Sequence, residues 1–119
     1  MTMIAAITVG LVAALHLYFL VLEMFLWKKP FGRQTFGLTR EMAEATASLA
    51  ANQGIYNGSL AAGLIWGLSL GAAGLSIKVF FLVCVIVAGI FGAATANRKI
   101  LWVQAVPGAL ALALVLLAR

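Results

Sequence analysis

The chain has 119 residues, of which 65% are hydrophobic and only 9% are charged. Soluble globular domains have roughly 45–50% apolar and about 25% charged residues, so this composition excludes a soluble globular protein and indicates a membrane protein. The net charge of +5 does not indicate nucleic-acid binding, because the basic residues are concentrated in the connecting segments. We therefore expect a lipid bilayer as partner and no nucleic acid.

Four apolar runs follow one another along the chain, each about as long as the roughly 17–25 residues that cross the hydrocarbon core. The runs are too long for barrel strands and do not alternate between polar and apolar residues. The sequence therefore predicts an all-α integral membrane four-helix bundle, with residues 1–119 as a single domain. The four transmembrane helices are expected at about 4–27, 42–70, 77–96 and 99–117.

The first apolar run has the position of a signal peptide. However, residues 1–3 carry no basic group and the run exceeds the usual 7–15 apolar residues, so we expect it to be retained as a helix. Cys84, the single cysteine, lies inside the third run and excludes a disulfide within the chain. We expect it to be a small packing residue.

The connecting segments carry turn and cap signals. Residues 28–41 are predicted as a loop because Pro30, Gly32 and Gly37 interrupt them, and Thr39 is the expected N-cap of the second helix.

The later connections are shorter. Residues 71–74 are expected to end the second helix, and Ser76 is expected to cap the third. Pro107 has no amide hydrogen for the carbonyl of Val103, so the fourth helix should bend there and open space beside Gln104.

The basic residues predict the orientation in the membrane. Six of them lie in the first and third connections, whereas the second connection and the C-terminus have one each: Lys28, Lys29, Arg33, Arg40, Arg98 and Lys99 against Lys78 and Arg119. Cytoplasmic loops are enriched in Lys and Arg. We therefore expect a multi-pass protein of the bacterial inner membrane, with loops 28–41 and 97–99 cytoplasmic and both termini extracytoplasmic.

Glycine residues recur at the spacing of close helix contacts, for example Gly54 with Gly58, and Gly63 with Gly67 and Gly71. Small residues allow transmembrane helices to approach closely. Because the chain has more of this surface than one internal contact uses, the sequence predicts a homo-oligomer.

Two ionisable residues lie within the first apolar run. Counted from Lys28, Glu23 is about 7 Å and His16 about 18 Å below the cytoplasmic boundary, on nearly the same helix face. Ionisable groups in the membrane are costly, so they are functional candidates. We take His16 and Glu23 as the candidate catalytic pair.

Several amides and a tyrosine lie at similar depths on the other helices. Asn52 and Gln53 are about 12–14 Å deep, Tyr56 and Asn57 about 18–20 Å, and Gln104 about 7 Å. We take these five as candidate ligand-binding residues, although amides also join transmembrane helices in purely structural roles.

The outer half of the membrane contains only hydroxyl groups, on Thr8, Ser59 and Ser69, which are able to bond their own helices. The polar groups are therefore expected to line a pocket that opens to the cytoplasm and ends near the midplane.

Three segments carry a family resemblance: HLYFLVLEMFLW, FGLTREMAEATASLAANQGIYNGSLAAGLIWGL and GIFGAATANRKILWVQAVPGALALAL. Together they resemble a bacterial family of small four-helix membrane proteins catalogued as domain of unknown function 1304, over nearly the whole chain. The resemblance implies the architecture and no particular activity. The residues at its motif positions are His16, Glu23, Asn52, Gln53, Tyr56, Asn57, Asn97, Arg98, Gln104 and Pro107.

Four functions fit these observations. The first is a pocket for a small lipophilic molecule, with acid–base chemistry of the isomerase or hydratase type at Glu23 and His16. The second is a proton-coupled transporter that works as an oligomer, with Glu23 alternately protonated and cation-bound. The third is a haem protein with His16 as axial ligand, and the fourth is a purely structural protein. The sequence has no metal-ligand cluster and no nucleotide-binding loop, so we expect no metal site. Whether another cofactor is bound is left open.

Overall fold

The computed structural model describes residues 2–119, with side chains from residue 3 onward. These residues form five α-helices, which confirms the all-α prediction. The helices are α1 (Thr2–Met24), α2 (Pro30–Phe36), α3 (Arg40–Ser69), α4 (Leu75–Thr95) and α5 (Val106–Ala118). A 3₁₀-helix (Gly71–Gly74) precedes α4, and a π-helical turn (Leu101–Ala105) precedes α5.

Three described segments are long and apolar enough to cross a membrane: Met3–Met24, Gly71–Thr95 and Leu101–Ala118. They indicate a multi-pass membrane protein. Helix α3 has 30 residues, about 45 Å of helix, and is therefore long enough to span. Because polar side chains interrupt its apolar residues, α3 is not among the segments that are apolar enough to cross a membrane. The fourth span stays a prediction.

The predicted loop 28–41 is wrong in part, because it contains α2. Pro30 begins this helix, at a position where its missing amide hydrogen costs no hydrogen bond. Gly37 ends it with a φ of 64°, and the Leu38 amide donates to the Arg33 carbonyl at 2.8 Å. This is the Schellman arrangement, for which glycine is suited because it has no Cβ.

One predicted helix cap is confirmed and the other is wrong. The Met42 amide donates to Thr39 Oγ1 at 3.1 Å, so Thr39 caps α3. Ser76, by contrast, lies inside α4, which begins at Leu75 without a side-chain cap. The reason is that the 3₁₀-helix ends at Gly74, immediately before α4, and leaves no non-helical residue for Ser76 to occupy.

The chain divides into two compact units. The inserted unit is Leu15–Ser59, and the terminal unit is Leu60–Arg119 together with the residues up to Ala14. The predicted single bundle stays a prediction. The core of the terminal unit is apolar, and its most completely buried side chains, each 0% exposed, are Val9, Ala61, Leu64, Leu82, Val85 and Ala111.

In the terminal unit, α4 packs closely against the π-helical turn. A Cβ on Gly89 would lie 2.8 Å from the Ala105 amide nitrogen, so only glycine fits without a shift. Beside this contact, Gln104 Nε2 donates to the Val85 carbonyl at 3.0 Å. A bend was expected at Pro107. The departure from regular α-helix lies just before it, in the π-helical turn Leu101–Ala105, and Pro107 itself lies in the first turn of α5.

Two glycine substitutions test this packing. We expect Gly89→Ala to destabilise the protein by about 1–3 kcal/mol, because the new methyl group has backbone atoms in its way. Gly10→Ala is the matched control, since no neighbouring atom lies within 4 Å of its Cβ position. It should be neutral or stabilise α1 by up to about 1 kcal/mol. The free energy of unfolding in mixed detergent micelles measures both, and equal effects would contradict the close contact.

Candidate functional site

In the inserted unit, side chains of α1 lie directly on the backbone of α3. A Cβ on Gly54 would be 2.5 Å from Met24 Cγ and 3.4 Å from Glu23 Cβ, and one on Gly58 would be 2.6 Å from Leu20 Cδ1. Leu20, Glu23 and Met24 are three and four residues apart, so they share one face of α1. The two glycines therefore allow this face to reach α3.

This packing brings Glu23 and Asn57 together. Asn57 Nδ2 donates to Glu23 Oε1 at 2.5 Å. Asn57 is only 7% exposed and Glu23 is half-buried. Glu23 also lies in the last turn of α1, where the helix dipole disfavours a negative charge. The Asn57 amide offsets part of this cost.

His16 is placed apart from this pair. It is 0% exposed, and its ring packs edge-on against Phe19 with centroids 5.3 Å apart. Seven residues separate it from Glu23, which is about 10 Å along the helix, and Leu20 lies between them on the same face. Direct proton exchange between His16 and Glu23 is therefore not supported. The complete burial of His16 also does not favour a haem ligand at a subunit surface.

Three other predicted ligand-binding residues lie on the exposed surface of α3 and not at the Glu23–Asn57 contact. Asn52, Gln53 and Tyr56 are exposed on α3, and Tyr56 is 65% exposed. Gln104 belongs to the terminal unit, where it bonds the Val85 carbonyl. The signal that singles out Asn57 is its spacing, because it lies three residues after Gly54 and next to Gly58, on the close-packed face of α3.

A second polar contact in the inserted unit was not foreseen from the sequence. Trp27 Nε1 donates to Thr46 Oγ1 at 3.0 Å, and the Thr46 hydroxyl donates to the Met42 carbonyl at 2.7 Å. The Trp27 ring also packs on Phe36, with centroids 4.8 Å apart. Through these contacts Trp27, which follows α1, is attached to both α2 and α3. Trp27 is four residues after Glu23 in the sequence.

The terminal unit contains a cavity of about 540 Å³. Its lining is apolar except for Lys78 and Arg119, and it includes none of the predicted site residues. This cavity is therefore not the cytoplasm-facing pocket that the sequence predicts, and that pocket stays a prediction. Within the described residues, no group of three or more His, Cys, Asp and Glu side chains is arranged to hold a metal ion.

Comparison with known proteins identifies relatives. The model of a family described as protein of unknown function (DUF1304) matches residues 10–116. The uncharacterized protein YpaA of Lactococcus lactis subsp. lactis (strain IL1403) is 33% identical over 106 residues, which cover 87% of this chain and 89% of that protein. No solved structure matches significantly. The resemblance read from the three motifs is confirmed.

A double-mutant cycle tests the contact between Glu23 and Asn57. Asn57→Leu should destabilise the protein by about 1–3 kcal/mol, because the buried carboxylate loses its donor. Glu23→Leu should also destabilise it, whereas the double variant should lose at least about 1 kcal/mol less than the sum. Ser59→Ala is the control on α3, since its hydroxyl bonds only its own helix, and should change stability by less than about 0.5 kcal/mol. Additive effects of Asn57→Leu and Glu23→Leu would mean that the two side chains do not interact.

Proposed function

The chain belongs to the DUF1304 family of proteins of unknown function, and from this premise we propose that it is a four-span membrane protein that binds a small lipophilic molecule at Glu23 and Asn57. The observation that carries the proposal is the hydrogen bond between Asn57 Nδ2 and Glu23 Oε1. It joins an ionisable and an amide side chain from two helices of a chain that is otherwise strongly apolar.

The chemistry of the pair defines the class of molecule. An ionised carboxylate only accepts hydrogen bonds, and one Glu23 oxygen already accepts from Asn57. A molecule that adds to this site should therefore donate, through an amine or a hydroxyl group. Its remainder should be apolar, because Leu20 and Met24 flank Glu23 on the same face of α1. A hydrophobic amine or alcohol meets both requirements.

The position of His16 bears on whether the site is catalytic. Because His16 is about 10 Å from Glu23 along α1 and fully buried, the two are not arranged as an acid and a base around one small reacting group. Acid–base chemistry would depend on Glu23 alone. We therefore propose binding as the function and give the isomerase or hydratase activity second place.

The distribution of charge supports α3 as a span. The basic residues of the first connection precede α3 or, in the case of Arg40, begin it, and Arg98 and Lys99 follow the candidate span Gly71–Thr95. If α3 did not cross, that span alone would separate the two basic segments and place one of them outside. With α3 across the membrane, both segments lie in the cytoplasm, as the positive-inside rule favours. We propose this arrangement, with both termini extracytoplasmic, in the bacterial inner membrane.

Cysteine labelling tests the orientation. Single cysteines are introduced at the exposed positions Thr35, Ala73 and Asn97 in a Cys84→Ala background. A membrane-impermeant maleimide added to intact cells should label Ala73→Cys alone, because of the three connections that carry a cysteine only the one between α3 and α4 is expected outside. Inverted vesicles should give the opposite pattern. Labelling of Ala73→Cys and Thr35→Cys from the same side would show that α3 does not cross.

Mass spectrometry of copurifying molecules tests binding. Protein extracted from native membranes in mild detergent should retain a lipophilic amine or alcohol, and Glu23→Gln should retain at least about tenfold less of it, because the charged acceptor is lost. Glu41→Gln is the matched control, since it removes an exposed carboxylate in the first turn of α3. Circular dichroism verifies that both variants are folded. If wild type and Glu23→Gln copurify with the same molecules in equal amounts, Glu23 is not a binding residue.

A further inference from the structure

Helix α3 carries polar side chains on its exposed surface as well as at the Glu23 contact. Asn52, Gln53 and Tyr56 are all exposed, and we call them the outer polar patch. They lie 12–16 residues after Arg40, which is about 18–24 Å along a helix of about 45 Å. The patch is thus near the middle of α3.

The position of the patch requires a covering surface. This inference rests on the proposed function, which makes α3 a membrane span. In that arrangement the patch faces the hydrocarbon, where an amide without a hydrogen-bond partner is strongly disfavoured. Within the inserted unit, Leu15–Ser59, the described residues leave the patch exposed, so its partner lies outside that unit.

The composition of the patch favours a second copy of the same chain. Asparagine and glutamine side chains both donate and accept hydrogen bonds, so the patch is complementary to itself across a twofold axis. It carries no charged side chain that would repel its copy. Ala45 and Ser48, which are exposed one to two turns before Asn52 on the same face, are small enough to let two helices approach.

Four of the glycines whose spacing suggests an oligomer contact are instead packed against side chains of the same chain. Gly54 and Gly58 meet side chains of α1, and Gly63 and Gly67 meet Phe81 and Lys78 of α4. They are used within the chain. We propose that two copies of the chain associate through the outer polar patch of α3, with the amides of the two copies hydrogen-bonded to each other.

Disulfide cross-linking in membranes is the first test. Ser48→Cys, in the Cys84→Ala background, places a thiol one turn from Asn52 and keeps the patch intact. Under mild oxidation it should give at least about fivefold more linked dimer than Val87→Cys, a control at a position of α4 that is also exposed, at 60%. Equal cross-linking of the two variants would overturn the proposal.

The second test removes the polar groups and keeps the side-chain sizes. Energy transfer between labelled copies in liposomes, measured over a range of protein-to-lipid ratios, gives the dimer dissociation constant. Asn52→Leu combined with Gln53→Leu and Tyr56→Phe should raise that constant at least about tenfold, whereas Ser59→Ala should leave it unchanged. A monomeric wild type, or a triple variant that dimerises as well as wild type, contradicts the dimer.

The accessibility of Ser48→Cys to the maleimide shows whether the dimer alone is wrong or whether α3 does not span the membrane. If the impermeant maleimide, added to inverted vesicles, labels Ser48→Cys in the triple variant as fast as it labels Thr35→Cys, α3 is not in the membrane and the four-span proposal fails with the dimer. If Ser48→Cys is protected but the wild type is monomeric, only the dimer fails.

Discussion

The constraint on which this structure depends is that a polar group in hydrocarbon needs a partner within the protein. Most of the described polar groups meet it locally. Thr8, Ser59 and Thr95 each donate to the carbonyl four residues earlier, at 2.7–3.0 Å, so their hydroxyl groups have a hydrogen-bond partner without help from another helix. This is what was expected for Thr8 and Ser59, and it is why hydroxyls scattered along apolar helices indicate no site.

Amide and carboxylate groups have no such local solution, and they therefore fix contacts between helices. Gln104 reaches the Val85 carbonyl in the terminal unit, and Asn57 reaches Glu23 in the inserted unit. Each contact lies beside a glycine that allows the approach, Gly89 in one case and Gly54 in the other. Close packing and polar pairing therefore depend on each other. A side chain in place of the glycine would keep the two polar groups apart, and loss of one polar group would leave its partner without a hydrogen bond at the helix contact.

The long apolar runs allowed the bounds of α1, α3 and α4 to be predicted to within three residues, because length and hydropathy determine what crosses a membrane. The last helix was expected from residue 99, but α5 begins only at Val106, after the π-helical turn. The apolar runs did not reveal α2, which has only 7 residues and begins with a proline. The site was harder to predict. Depth alone grouped Asn52, Gln53, Tyr56 and Asn57, whereas the rotation of α3 decides which of them faces α1, and that rotation follows from packing at Gly54 and Gly58. The pairing of Trp27 with Thr46 also depends on how α2 and α3 are attached, and no spacing in the sequence indicates it.

The low apolar content of α3 now has a physical explanation. One of its faces carries Asn57, which is bonded to Glu23, and another carries the exposed Asn52 and Tyr56. A helix with polar groups on two faces is poorly suited to enter a bilayer alone, but only residues 70–74 separate its last residue, Ser69, from the strongly apolar α4. Gly63 and Gly67 already hold the end of α3 against Phe81 and Lys78 of α4. Insertion of the two helices as one hairpin would let α4 supply the apolar surface that α3 lacks. The polar faces of α3 would then be left to determine which neighbours it accepts.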